Sequence, residues 1–298
     1  MSAQAQADRA VTANGIELTC GTFGDRAAPP ILLIMGLAAQ MIAWDEEFCA
    51  QVADRGYFVI RFDNRDIGLS TKFHEHGVPN VVALLQDAMQ GKPVSAAYVL
   101  RDMAADAVGL LDALGIASAH VVGASMGGAI AQEMAIHHAD RVRTLTSIMS
   151  STGDPGLPPP TPEALQVLLT PAPPERDAYL PHYQRMWRVL RGNGFALDES
   201  RDLANAEKTF ARGLNPPGVA RQLAAIMASG GRREALRAVK TPTLVIHGDA
   251  DPLVHVEGGK ATAAAISGAK LVIIEGMGHA LPVSMWPQII DAIAKHAV

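Results

Sequence analysis

A chain of 298 residues, 49% hydrophobic and 18% charged, is long enough to bury a substantial core, as one domain with an insertion or as two. A net charge of −5 without a Lys/Arg cluster excludes nucleic acid as a partner, since nothing would neutralise its phosphates. Two cysteines, Cys20 and Cys49, give no disulfide framework, and no apolar run reaches the ~18 residues of a membrane-spanning helix.

In chain order, Met1 to Ala10 lacks an apolar stretch after a basic start, which predicts a frayed tail rather than a secretory signal, and a cytoplasmic location is expected. Val11 to Cys20 reads as a hairpin, because Asn14-Gly15 accepts the positive φ values of a tight turn between strands. Pro30 to Gly36 is a continuous apolar run, as expected of a strand covered on both faces. A helical pattern spans Ile42 to Ala53, and Tyr57 to Asp63 is the next strand. The loop Asp63-Asn-Arg-Asp-Ile-Gly-Leu-Ser70 is dense in charge. Its expected work is a hydrogen-bond network, with substrate binding by Arg65 as the alternative. Ala97 to Leu114 has helical periodicity and stops at Gly115.

Ala119 to Val122 then forms a short apolar strand that runs into Gly123-Ala-Ser125-Met-Gly127, and a helical pattern follows from Ile130. Three fixed positions of this kind recur by chance about once in 3,000 windows, so the strand before and the helix after carry the specificity. The glycines let a strand turn sharply into a helix and leave Ser125 exposed at the corner. The Met126 amide lies at a helix start, where N–H groups are unpaired, and is one candidate oxyanion donor. The second belongs in the loop after the third strand, at Leu37, whose side chain could equally line a pocket.

After the strand Thr144–Met149, Ser151 to Pro162 is a Pro/Gly-rich linker that no helix or strand interior tolerates. It opens a segment, 152–237, of helical patterns at Pro162–Leu169, Arg176–Arg191, Glu199–Arg212 and Val219–Ser229. Strands resume at Thr241–Gly248 and Lys270–Gly276, with helices at Glu257–Ile266 and Ser284–Ala297. Alternating buried strands and helices predict a mostly parallel, doubly wound α/β sheet of about eight strands, with a helical cap (152–237) inserted after the sixth strand into a core of 1–151 and 238–298.

A serine hydroxyl needs a base, and of ten histidines only His279 follows a strand in a glycine-rich loop late in the chain. His74 with His76, and His137 with His138, read as structural, and no metal site is completed. The carboxylate that orients the imidazole is sought in His247-Gly-Asp249-Ala-Asp251: Asp251 is preferred, Asp249 is the turn-capping alternative, and Asp154 is a distant third. Trp187, Tyr183 and Tyr179 of the inserted segment suggest a substrate pocket, with a plain helical core as the blander reading, and Gly36 lies where a pocket wall is expected.

Together these residues resemble the α/β-hydrolase superfamily over essentially the whole chain. Ile34-Met-Gly36, Arg61-Phe-Asp63-x-Arg65-Asp66-x-Gly68-x-Ser70-Thr71, Gly123-x-Ser125-Met-Gly127 and Gly276-Met-Gly-His279-Ala-Leu-Pro282 are similar to bacterial esterases of the aclacinomycin methylesterase type. Met35-Gly36 stands where many such proteins carry His-Gly. The resemblance implies a Ser125, Asp251 and His279 triad, no cofactor, and hydrolysis of a small-molecule carboxylic ester through an acyl-enzyme. Hydrolases of C–C bonds, lactonases and perhydrolases keep the same triad, and plant hormone receptors share the fold. The substrate, the pathway and the assembly state, a homodimer included, are not legible at this level.

Overall fold

The computed structural model describes residues 6–297; Met1–Ala5, half of the segment read as a frayed tail, lie outside them. The chain opens with the antiparallel pair β1 (Arg9–Ala13) and β2 (Ile16–Phe23), joined by Asn14 (φ 49°) and Gly15 (φ 77°) in the tight turn the dipeptide predicts. Then come β3 (Pro30–Ile34), α1 (Glu46–Ala53), β4 (Phe58–Phe62), α2 (Val81–Met89), α3 (Leu100–Ala113), β5 (Ala119–Ala124), α4 (Met126–His137) and β6 (Val142–Ile148). Helices α5 (Pro162–Leu169), α6 (Arg176–Arg191), α7 (Glu199–Ala211), α8 (Pro216–Ser229) and α9 (Arg233–Leu236) intervene before β7 (Thr243–Gly248), α10 (Val256–Ala265), β8 (Lys270–Ile274) and α11 (Trp286–His296).

The strands form one sheet in the order β1-β2-β4-β3-β5-β6-β7-β8, antiparallel at β1, β2 and β4 and parallel from β4 to β8. Alternation of side chains divides the core in two. Leu32, Ile34 and Val121 face one side and pack with Met103, Leu110, Ile130 and Met134 of α3 and α4. Ile31, Leu33 and Val122 face the other and pack with Phe48, Val52, Trp286 and Ile290 of α1 and α11. Burial on both faces explains the unbroken apolar runs of the central strands, and each such side chain contributes about 1.5–3 kcal/mol.

Two departures from the sequence reading have local causes. The stretch 42–53 is a single 3₁₀ turn followed by α1, because Asp45 accepts from Glu47 N–H and starts the helix afresh. The segment 71–96, to which the sequence reading assigns no element, contains α2, nucleated by Asn80 accepting from Ala83 N–H and packed on α8. None of its side chains is buried, and Val82 and Met89 are 60% and 88% exposed. Among the described residues, no helix is long and apolar enough to cross a membrane.

Candidate active site

Ser125 stands at the corner between β5 and α4 with φ 56° and ψ −122°, a conformation costly for a residue with a side chain. The surroundings hold it there. Ser125 N–H donates to the Ile148 carbonyl of β6 at 2.9 Å. A Cβ on Gly123 would collide with the Gly127 carbonyl, one on Gly127 with the Ile34 carbonyl, and one on Gly128 would lie 2.6 Å from Ser150 Cβ. The glycines are therefore a packing requirement at this crossing of β3, β5 and α4.

His279 and Asp251 reach Ser125 from loops at the carboxyl ends of β8 and β7. His279 Nε2 lies 2.9 Å from Ser125 Oγ, and Nδ1 lies 2.7 Å from Asp251 Oδ2. With the proton on Nδ1 donated to the carboxylate, Nε2 is the acceptor for the serine hydroxyl. Asp251 is buried, and burial alone would raise its pKa. The adjoining His279 charge, bonds from His247 and His279, and the Val254 N–H outweigh it and hold the carboxyl well below the usual range. Oδ1 accepts Leu253 N–H at 2.9 Å and Val254 N–H at 2.8 Å. Asp249 instead accepts Gly276 N–H at 2.7 Å and ties the two loops together. Asp154 lies after β6, with Arg233 Nε 3.5 Å from its carboxylate.

The loop after β3 faces the serine. A Cβ on Gly36 would sit 3.0 Å from Ser125 Cβ and 3.4 Å from Oγ, tight enough that the serine would have to shift by a few tenths of an ångström to admit it. The Ala38 N–H is engaged with Gln222 Oε1 at 3.1 Å. Leu37 N–H donates in no hydrogen bond among the described residues, and Met126 N–H, first in α4, has no acceptor within its helix.

A cavity of about 1190 Å³ opens above Ser125. The core contributes Gly36, Leu37 and Met126 to its wall; Tyr183 and Trp187 of α6 and Val81 and Val82 of α2 form the opposite side. Tyr183 and Trp187 also pack on each other, with ring centroids 6.1 Å apart. Arg65 is turned away, paired with Asp106 at 2.6 Å and lying over the rings of Phe73 and Tyr98. Its neighbour Asp66 takes both arms of Arg221 from α8, each partner almost fully buried.

The profile of the alpha/beta hydrolase fold family matches residues 29–283. The chain belongs to the α/β-hydrolase family. A rhodomycin D methylesterase of Streptomyces peucetius is 31% identical over 309 residues, covering 97% of both chains. A 2-hydroxymuconate semialdehyde hydrolase of Pseudomonas sp. (strain CF600) is 34% identical over 211 residues, 66% of each chain. Among solved structures, a meta-cleavage product hydrolase from Pseudomonas fluorescens IP01 shares the fold with a TM-score of 0.75 at 18% identity, over 97% of this chain and 96% of its own.

In this α/β-hydrolase three side chains take roles that the sequence reading does not assign to them individually, although it expects a hydrogen-bond network in the loop that begins at Asp63. His247, fully buried, donates Nε2–H to the Val254 carbonyl at 2.7 Å and lies 3.5 Å from Asp251 Oδ2. Asp63 accepts Met41 N–H, where the loop that faces Ser125 ends, and Leu69 N–H of its own loop, and so joins the loops that follow β3 and β4. Gln222 comes from the inserted helices. His247 sat in plain view four residues before Asp251, whereas Gln222 acts across 157 and 184 residues of sequence without a local signature.

Proposed function

We propose that this α/β-hydrolase cleaves a carboxylic ester by way of an acyl-enzyme on Ser125. The observation that carries the reading is the continuous chain Ser125 Oγ, His279, Asp251, with 2.9 and 2.7 Å separations, opening into a large cavity. Ser125 Oγ attacks the ester carbonyl while His279 Nε2 takes its proton, and Asp251 holds the imidazole's orientation and stabilises its charge. The Leu37 and Met126 amides face the developing oxyanion. His279 then gives the proton to the departing alcohol. A water molecule, deprotonated by His279, attacks the acyl carbon and releases the acid and free Ser125.

We read 152–237 as a cap over a core of 1–151 and 238–298, with Gly36, Tyr183 and Trp187 as substrate contacts. The cavity exceeds what a short-chain ester fills and favours a bulky acid portion carrying a small alcohol. The two methylesterase-like traits, full-length similarity and this volume, support that choice. Buried free thiols at Cys20 and Cys49 agree with a reducing, cytoplasmic setting.

The test is hydrolysis of p-nitrophenyl esters from acetate to octanoate and of methyl esters of bulky aromatic acids. Turnover by the wild type and none by a folded Ser125→Ala variant supports the reading. The similarity to a 2-hydroxymuconate semialdehyde hydrolase makes C–C bond hydrolysis the second reading. It gains if vinylogous diketones, and not esters, are turned over.

A further inference from the structure

The loop that faces Ser125 is not held by the core alone. Ala38, next to the proposed oxyanion donor Leu37, has φ 62°, a left-handed conformation unfavourable for alanine. Its N–H donates to Gln222 Oε1 at 3.1 Å, and Gln222 Nε2 donates onward to the Arg65 carbonyl at 2.8 Å. Gln222 is fully buried in α8, so both ends of its amide are satisfied by backbone groups of loops that follow β3 and β4. Two residues on, Gln40 Nε2 donates to the Thr209 and Gly213 carbonyls, and Arg212 Nε donates to Gln40 Oε1. The loop 36–40 is thus pinned from the cap at Ala38 and again at Gln40.

We propose that Gln222 is a positioning residue that aligns the oxyanion hole. The peptide joining Leu37 to Ala38 is a rigid plane, so fixing the Ala38 N–H at +62° restricts how the Leu37 unit can rotate and where its own N–H points. Engagement by Gln222 also removes Ala38 as a competing donor and leaves Leu37 to meet the oxyanion. A cap side chain thereby sets geometry at the reacting carbonyl without touching substrate. The inference rests on the ester-hydrolase reading for its kinetic arm only.

Gln222→Met, close in shape and without the amide, is expected to lower kcat about 10- to 100-fold, short of the ~10²- to 10³-fold loss of a whole oxyanion donor. KM should change less than about threefold. The affinity of a phenylboronate, which forms a tetrahedral adduct on Ser125, should fall by the same factor as kcat, while a product acid binds as before. Gln222→Asn, too short to span both partners, answers the same question if the Met variant does not fold. Arg201→Ala, which loosens a partly buried cap-to-core pair with Asp45, controls for cap stability and should leave kcat unchanged. An unchanged kcat in both Gln222 variants, or an equal kcat loss in Arg201→Ala, overturns the proposal. A wild type inert toward esters sinks the ester reading alone, because boronate affinity still reports on the two amides. No boronate binding by the wild type ends both.

Discussion

On the strand side of the cavity, Ser125 and His279 sit where backbone meets backbone: a Cβ would collide with a carbonyl at Gly123 and Gly127 and would crowd Ser125 at Gly36. On the helix side, α7 and α8 are tied down by charged and amide side chains: Arg221 on Asp66, Arg212 on Asp63, Gln222 on Ala38 and Arg201 on Asp45. Close-packed main chain allows almost no alternative geometry. Side-chain clamps fix position but leave the apolar surface between them free to vary. The side that carries Ser125 and His279 is therefore the more tightly fixed of the two.

The largest test of this contrast removes the strand side's chemistry. Ser125→Ala and His279→Ala are each expected to cost on the order of 10⁶ in kcat with unchanged unfolding curves. Asp251→Asn should cost about 10⁴, whereas Asp249→Asn, whose amide oxygen can still accept from Gly276 N–H, should keep kcat within about tenfold. The reverse order in that pair would reassign the orienting acid. Gly36→Ala places a methyl group 3.0 Å from Ser125 Cβ, and a displaced serine should lower kcat about 100-fold with little change in melting temperature.

On the helix side, the expected losses are in stability. Asp66→Asn leaves Arg221 buried with its charge uncompensated and should destabilise the fold by about 3–5 kcal/mol in urea unfolding. Arg201→Ala, at a partly exposed site, should cost about 1 kcal/mol or less. If Asp66→Asn instead left stability intact and abolished turnover, the division between the two sides would fail.

The pH dependence follows from the same carboxylates. Burial opposes ionisation of Asp66, but the Arg221 bonds, the Phe73 N–H and Tyr98 hold its pKa below the usual value, as His279 and its neighbours do for Asp251. A depressed folded pKa gives stability that is present above the unfolded carboxylate's pKa and lost as pH falls through the folded one. Unfolding free energy contributed by these two groups should be flat from pH 7 to about 5 and decline below about 4, and the decline should be shallower in Asp251→Asn.

What could be read from the sequence follows from how local each signal is. The corner at Ser125 announces itself because its glycines lie within five residues, and the helices α5 and α6 match their sequence patterns to the residue. The loop before His279 is framed by Gly276 and Gly278 for a reason visible only in space: they meet Gly194 and the Arg191 carbonyl. Helix α2, which the sequence reading leaves unassigned, buries none of its side chains. Gln222 and Arg221 escaped because their partners lie some 155 residues away, at Arg65 and Asp66, and a glutamine or arginine within an amphipathic helix looks like any other polar position.

The seam at His279 has a consequence for protein engineering. His279 N–H donates to the Leu190 carbonyl at the end of α6, Gly278 rests on Arg191, and Gly276 faces Gly194. A chimaera that imports foreign helices in place of α5 to α8 will shift the imidazole unless the helix replacing α6 ends at the same height and brings a residue as small as Gly194. Selectivity in this scaffold is more safely rewritten by changing side chains along the middle of α6 than by exchanging the helix whole.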